Sequence, residues 1–264
     1  MHLYLPEFAD RPVPRYTSYP TADRFHDGIG LDDQRRALEG IREGAPVSLY
    51  VHIPYCREIC FYCGCNTQAL GRAARLARYV ETLETEIAAV ARHVRGRVHS
   101  IHFGGGSPNA LPPAMFEALV ARLRGSFDCV ATPDIAVELD PRLIEPAFVD
   151  ALARTGVRRV SLGVQTFAPH VQQAIGRVQP IETVASAIAM LRAAGIEGIN
   201  VDLLYGLPGQ DIADIEETIA ATLALRPSRI ALFGYAHVPH LMPRQRAIDA
   251  TSLPDAEARF WQGA

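Results

Sequence analysis

Four of the five cysteines in this 264-residue chain fall in one stretch, 55-YCREICFYCGCN-66, at Cys56, Cys60, Cys63 and Cys65. Thiolates are soft ligands that suit iron–sulfur clusters and zinc. The spacing Cys56-x3-Cys60-x2-Cys63 offers three of them from a single loop, and Cys129 stands alone elsewhere. Three close ligands without a second pair fit a 4Fe–4S cluster with one iron left open. A structural zinc site normally takes four ligands, commonly as two CxxC pairs. It would form here if Cys65 or a histidine supplied the fourth. Plain reduced thiols are the bland reading, and they do not account for the crowding.

Other residues capable of chemistry recur at regular intervals along the chain. The glycine run 104-GGGSP-108 is a weak hint of a ligand loop, since such runs also serve as plain turns. Glu138 and Asp140 close the apolar run 135-IAVEL-139. Gln165, Asp202, 205-YGLPG-209 and His237 each follow or end a later run of the same kind. His52 and His102 sit within such runs, and as a default read as polar groups bonded to their neighbours.

Those runs are the expected strands: 47-VSLYVHI-53, 98-VHSIHFG-104, 135-IAVEL-139, 157-VRRVSLGV-164, 199-INVDLLYG-206 and 229-RIALFGYAH-237. They are short and mostly apolar on both faces, as in a parallel sheet covered by helices. Helices are expected between them. Residues 73–93 carry Leu76, Val80, Leu83, Ile87 and Val90 at helical spacing. Residues 112–124 open with prolines, which suit a first turn. Residues 146–155 and 181–194 stop at Gly156 and Gly195, which suit C-caps. A helix over 211–225 stops before Pro227, and another opens after 252-SLPD-255 with Ser252 as cap. A short helix over 32–42 is introduced by Gly30 and ends near Gly44, in an otherwise irregular segment.

The fold class is therefore α/β: a partial (β/α)6 barrel of parallel strands with right-handed crossovers and an irregular N-terminal extension. The expected division is an extension over 1–46 and a core over 47–264, its last helix cut short. In such barrels, functional residues gather at the C-terminal ends of strands and in the loops that follow. All six groups above lie in those places.

With the elements in place, the motifs resemble a known family. CxxxCx(aromatic)C after the first strand, with Tyr62 as the aromatic, is the signature of radical S-adenosylmethionine (SAM) enzymes. PRYTSYPT at 14–21, LYVHIPYC at 49–56, CGCN at 63–66, HFGGGSP at 102–108, VELDP at 137–141, SLGVQTF at 161–167, NVDLLYGLPGQ at 200–210 and FGYAHVP at 233–239 are similar to the oxygen-independent coproporphyrinogen III oxidases, in the same order. PRYTSYPT and the fourth cysteine set these apart from the related haem-chaperone branch. Phe103 and Ser107 stand where the family often has tryptophan and threonine.

The resemblance implies that Cys56, Cys60 and Cys63 hold a 4Fe–4S cluster, while Cys65 lies near the active site without being a ligand. It implies two SAM molecules, the first touching Tyr50, Gly105, Glu138 and Ala236. The second touches Tyr62, Gly106, Ser107, Gln165, Arg177 and Asp202. Tyr50 and Cys65 are the implied catalytic residues. The implied reaction is the oxidative decarboxylation of two propionates of coproporphyrinogen III to vinyl groups. A flavodoxin or ferredoxin would supply electrons to a monomeric enzyme. Family members continue far beyond this point, into a C-terminal domain that covers the barrel mouth and carries one further cofactor contact. Neither is part of this sequence. Arg15, Arg177 and Arg244 are candidates for the tetrapyrrole carboxylates, because anionic groups want cationic partners.

Composition narrows the alternatives. With 48% hydrophobic residues and a net charge of −3, the chain can bury a substantial core and lacks the basic stripe of a nucleic-acid binder. It shows no signal peptide and no apolar run long enough to span a membrane. A cytoplasmic setting follows, in which clustered thiols stay reduced. Two other functions compete: a haem-binding or haem-delivery relative on the same fold, and a zinc-stabilised interaction module. Cys129 reads as a packed thiol.

Overall fold

The computed structural model describes residues 2–9, 21 and 24–264. Arg15, and all of PRYTSYPT except Thr21, lie outside the described residues. After a single helical turn at Pro6–Ala9 comes helix α1, Leu31–Glu39. Gly30 caps it, its N–H donating to the Asp33 carboxylate at 2.9 Å, and it ends at Gly40 rather than near Gly44.

Six βα units follow. Strand β1 spans Pro46–Ile53, β2 Arg97–Gly105, β3 Cys129–Leu139, β4 Val157–Gln165, β5 Gly198–Tyr205 and β6 Arg229–Gly234. Between them run α2 (Ala73–Ala91), α3 (Pro113–Ser126), α4 (Pro146–Thr155), α5 (Pro169–Ala174), α6 (Ile181–Ala193) and α7 (Ile212–Ala224), with α8 (Ala256–Gly263) at the end. The strands pair in sequence order, β1 through β6, and every pairing is parallel. The result is a curled half-barrel with helices packed on its outer face.

The two faces of this sheet differ, which corrects the expectation of strands apolar on both sides. Along the register Val51↔Phe103↔Val137↔Val160↔Ile199, every residue is buried under the helices. One residue on, Glu138↔Ser161↔Asn200↔Arg229 forms a polar row on the inner face. Side chains alternate across a strand. A six-stranded half-barrel leaves its inner wall facing a cavity, so that wall carries ligand-directed polar groups where a closed barrel would be filled with apolar ones.

The outer layer holds the fold together. The predicted stripe on α2 turns inward, with Leu76, Val80 and Ile87 buried. Phe103 on β2 meets Phe116 on α3 at 5.0 Å between centroids, and Phe116 meets Phe148 on α4 at 5.3 Å. All three are nearly inaccessible, and burying each such side chain contributes about 1.5–3 kcal/mol. Gly156 ends α4 in the left-handed conformation at φ 78°. Gly195, with φ 80°, follows Ala194 at the end of α6.

Four details differ from expectation. Strand β6 stops at Gly234, so His237 lies beyond it in a loop. The cap of α8 is Asp255, whose carboxylate accepts from the Ala258 N–H at 2.8 Å, while Ser252 donates its hydroxyl to the Asp249 carbonyl. Cys129 is the first residue of β3, half-buried against the main core. The short helix α5 was not foreseen. No helix among the described residues is long and apolar enough to cross a membrane.

Candidate active site at the strand ends

The cysteine loop leaves β1 and is fastened from several sides. Tyr55–Cys56 pairs with Gln68–Ala69 in a two-residue parallel bridge, which closes the loop on itself. The next strand holds its base: the Gly106 N–H donates to the Ile53 carbonyl and the Ser107 N–H to the Tyr55 carbonyl, each at 2.8 Å. These bonds explain the glycine run. A Cβ on Gly106 would lie 2.6 Å from the Tyr55 carbonyl oxygen, and one on Gly104 would meet the Glu138 carboxylate at 2.9 Å. The glycines let the end of β2 approach the loop backbone and Glu138 together. From the far side, the Phe61 N–H donates to the Ile175 carbonyl at 2.9 Å. Arg244 donates to the Thr67 hydroxyl at 2.6 Å and to its carbonyl at 2.9 Å. Arg244 thus ties the loop to the segment after β6.

A cavity of about 260 Å³ opens at this end of the sheet. Cys56, Cys60, Tyr62, Cys63, Cys65, Gly105, Gly106, Ser107, Glu138, Gln165, Arg177 and Asp202 all line it. Every expected site residue is therefore brought to one cavity, except Tyr50 and Ala236. Tyr50 lies on the adjoining inner face, with its ring stacked on His102 at 5.7 Å and its hydroxyl 3.2 Å from His52 Nδ1. The carbonyl of Ala236 accepts from Gln245 Nε2 at 3.1 Å, outside the cavity lining. A second hollow of about 380 Å³ continues along the inner wall, past Glu138, Ser161, Asn200 and Asp202.

Each wall residue has an identifiable anchor. Glu138 sits 3.0 Å from His102 Nε2 and accepts from the Gly105 N–H at 3.3 Å. Asp202 accepts from the Ser161 hydroxyl at 2.5 Å and from Asn200 Nδ2 at 2.7 Å. Burial, reinforced by Glu138, holds its carboxyl above the usual range. Gln165 ends β4 with φ 71°, a left-handed backbone that non-glycine residues seldom adopt and that tends to mark functional sites. His237 Nδ1 lies 2.9 Å from the Tyr235 hydroxyl.

The thiols are not equivalent. Burial and the neighbouring sulfurs push Cys56 up to about 11. Cys63 is lowered to about 6, chiefly by a hydrogen bond from the Cys65 thiol, with Arg244 and Thr67 assisting. The same contact, with burial, raises Cys65. Cys60 is buried and accepts from Arg177 Nη1 at 3.5 Å.

Arg177 reaches the cavity because α5 ends in a turn at Gly176, φ 64°, which swings the chain back toward the loop. Its guanidinium also pairs with Asp140 at 3.3 Å and donates to the Gly163 carbonyl at 2.5 Å. Asp140 in turn accepts from Arg142 Nη2 at 2.7 Å, and Arg142 Nη1 donates to Glu58 at 2.8 Å. Glu58 lies inside the cysteine loop. Asp140, Arg142 and Glu58 form a network that sequence reading did not assign. Asp140 is marked in the sequence by its position alone, and the Arg142–Glu58 contact spans 84 residues.

The donor set fits an iron–sulfur cluster. Three cysteine thiols line one cavity wall, and the Nε of buried Arg177 has no partner there. Among the described residues, no group of three or more His, Cys, Asp or Glu closes on one point as a single metal ion requires.

Comparison with known proteins agrees with this arrangement. A model of the Radical SAM superfamily matches residues 50–221. An oxygen-independent coproporphyrinogen III oxidase from Bradyrhizobium diazoefficiens is 47% identical over 257 residues, covering 97% of this chain and 57% of the relative. The Escherichia coli enzyme of the same name is 38% identical, over 94% of this chain and 54% of its own length. The solved structure of Escherichia coli coproporphyrinogen III oxidase, a radical SAM enzyme, superimposes with a TM-score of 0.89 and 35% identity. That match covers 94% of this chain and 57% of the other. The chain thus spans a little over half the length of the relatives it matches.

Proposed function

The chain belongs to the radical SAM superfamily, and on that premise we propose that its site serves the oxidative decarboxylation of coproporphyrinogen III. In that reaction one hydrogen atom leaves the β-carbon of a propionate, and CO2 and one electron then depart to leave a vinyl group. Two such events give protoporphyrinogen IX. A 4Fe–4S cluster with bound SAM supplies the initiating chemistry, a one-electron reductive cleavage that yields a 5′-deoxyadenosyl radical.

In this reading Cys56, Cys60 and Cys63 are the cluster ligands. Cys65 is the one thiol of the loop left to act near the substrate. Two SAM molecules share the cavity and the adjoining inner wall. Tyr50, Gly105, Glu138 and Ala236 orient the first, and Tyr62, Gly106, Ser107, Gln165, Arg177 and Asp202 the second. The carboxylates of Glu138 and Asp202 accept hydrogen bonds from ammonium or ribose groups. The inner wall beyond Asp202 gives the tetrapyrrole a polar surface next to the reacting carbon. Electrons arrive from a flavodoxin or ferredoxin, and the reduced thiols suit the cytoplasm. The protein acts as a monomer.

The observation that carries this reading is the convergence of twelve wall residues from six separate segments on one cavity. The experiment is anaerobic incubation of the reconstituted protein with SAM, dithionite and coproporphyrinogen III, followed by chromatography of the porphyrins. Mono- and divinyl products that vanish in Tyr50→Phe or Cys65→Ser support it. Cleavage of SAM with the porphyrinogen left untouched refutes the substrate assignment.

A further inference from the structure

Arg177 is placed to act on the cluster site itself, in addition to any contact with SAM. Its guanidinium is buried, with Nη1 3.5 Å from the Cys60 sulfur. The contact is held from behind by Asp140, which is equally buried, and by the Gly163 carbonyl. Asp140 is itself gripped through both Arg142 Nε, at 3.0 Å, and Nη2, at 2.7 Å. Arg142 then returns to Glu58, two residues before Cys60. The chain of contacts Cys60–Arg177–Asp140–Arg142–Glu58 begins and ends in the same loop. It fixes a positive charge in direct contact with one ligand sulfur.

We propose that Arg177 sets the reduction potential of the cluster through the Cys60 sulfur, and that Asp140 partly offsets its charge. The inference rests on the superfamily reading that Cys60 is a ligand, and not on the substrate. Reduction adds one negative charge to the cluster. A nearby cation and an N–H···S bond stabilise the reduced state more than the oxidised one, and so raise the potential. With both side chains withdrawn from water, screening is weak and the effect is not diluted by solvent.

A purely structural tie would affect stability and leave the potential alone, so the test reads the potential. The reconstituted protein is titrated electrochemically, with the reduced cluster followed by electron paramagnetic resonance. Neither SAM nor porphyrinogen is present, so the result does not depend on turnover. Arg177→Met removes the cation and should move the midpoint to more negative values. Asp140→Asn removes the opposing charge, keeps an acceptor for Arg177, and should move it to more positive values. Arg177→Lys, which keeps the charge at the end of a different stem, should fall between Arg177→Met and the parent. Opposite shifts in the first two variants, at equal iron and sulfide content, establish the inference. Shifts in the same direction indicate general disturbance of the loop and overturn it, as does an unmoved midpoint in Arg177→Met.

Discussion

Substituting Gly106 by alanine tests whether the glycine run exists to dock β2 against the cysteine loop. The new Cβ would stand 2.6 Å from the Tyr55 carbonyl oxygen, 2.8 Å from its carbon and 2.9 Å from its nitrogen. All three are backbone atoms, so no side chain can rotate away, and the loop must shift by several tenths of an ångström. Overpacking of this kind costs about 1–3 kcal/mol. The Tyr55 carbonyl also accepts from the Ser107 N–H at 2.8 Å, and displacing that bond costs about 1 kcal/mol more. The sum, roughly 2–4 kcal/mol, lowers Tm by about 5–15 °C in a chain of this size. Because the shift falls on the loop that carries the ligands, cluster content after reconstitution should fall too. Gly125→Ala is the control: it lies in α3 with nothing within 4 Å of its Cβ. It should be stabilised by about 0.5–1 kcal/mol. Calorimetry of the apoproteins and iron analysis of the loaded ones give both readouts. A Gly106→Ala protein that melts with the parent and loads as much iron would refute the docking argument.

Three further outcomes follow from the same structure. Phe116→Ala should cost about 3–5 kcal/mol in chemical unfolding, because the ring is fully buried between Phe103 and Phe148. Asp140 carries a pKa held below 3.8: burial opposes this, but hydrogen bonds from Arg142 and the Arg177 charge outweigh it. A depressed carboxyl stabilises the fold above its unfolded value and loses that contribution as pH falls through the folded one. The stability gap between parent and Asp140→Asn, measured by urea unfolding, should therefore be full near neutrality and close below pH 3.8. Asp202 has the opposite shift, raised first by burial and then by Glu138. If its carboxylate accepts hydrogen bonds from SAM, affinity should decline on acidification at a pH above the usual carboxylate range. The profile should be flat there in Asp202→Asn, as equilibrium dialysis would show.

Much of this architecture was legible in the chain itself. The six apolar runs and the helices between them are local patterns, and the thiol spacing lies within ten residues, so no tertiary knowledge was needed. The strand ends then placed the wall residues on one rim by topology alone. What escaped was whatever depends on distant partners. The face-to-face difference of the sheet follows from its being open, which strand periodicity does not report. Asp255 outcompetes Ser252 as a cap because Ser252 already bonds the Asp249 carbonyl within its own turn. Arg177 reads as a helix-end arginine until Gly176 turns it inward. Its tie to Asp140, Arg142 and Glu58 joins three segments that no spacing rule connects.

The most direct measurement is cleavage of SAM by the anaerobically reconstituted, dithionite-reduced protein, read as 5′-deoxyadenosine by chromatography. The account predicts a brown protein that forms 5′-deoxyadenosine, and loss of that product in Cys60→Ala. A protein that takes up zinc in place of iron, or one that binds a cluster yet leaves SAM intact, would contradict it.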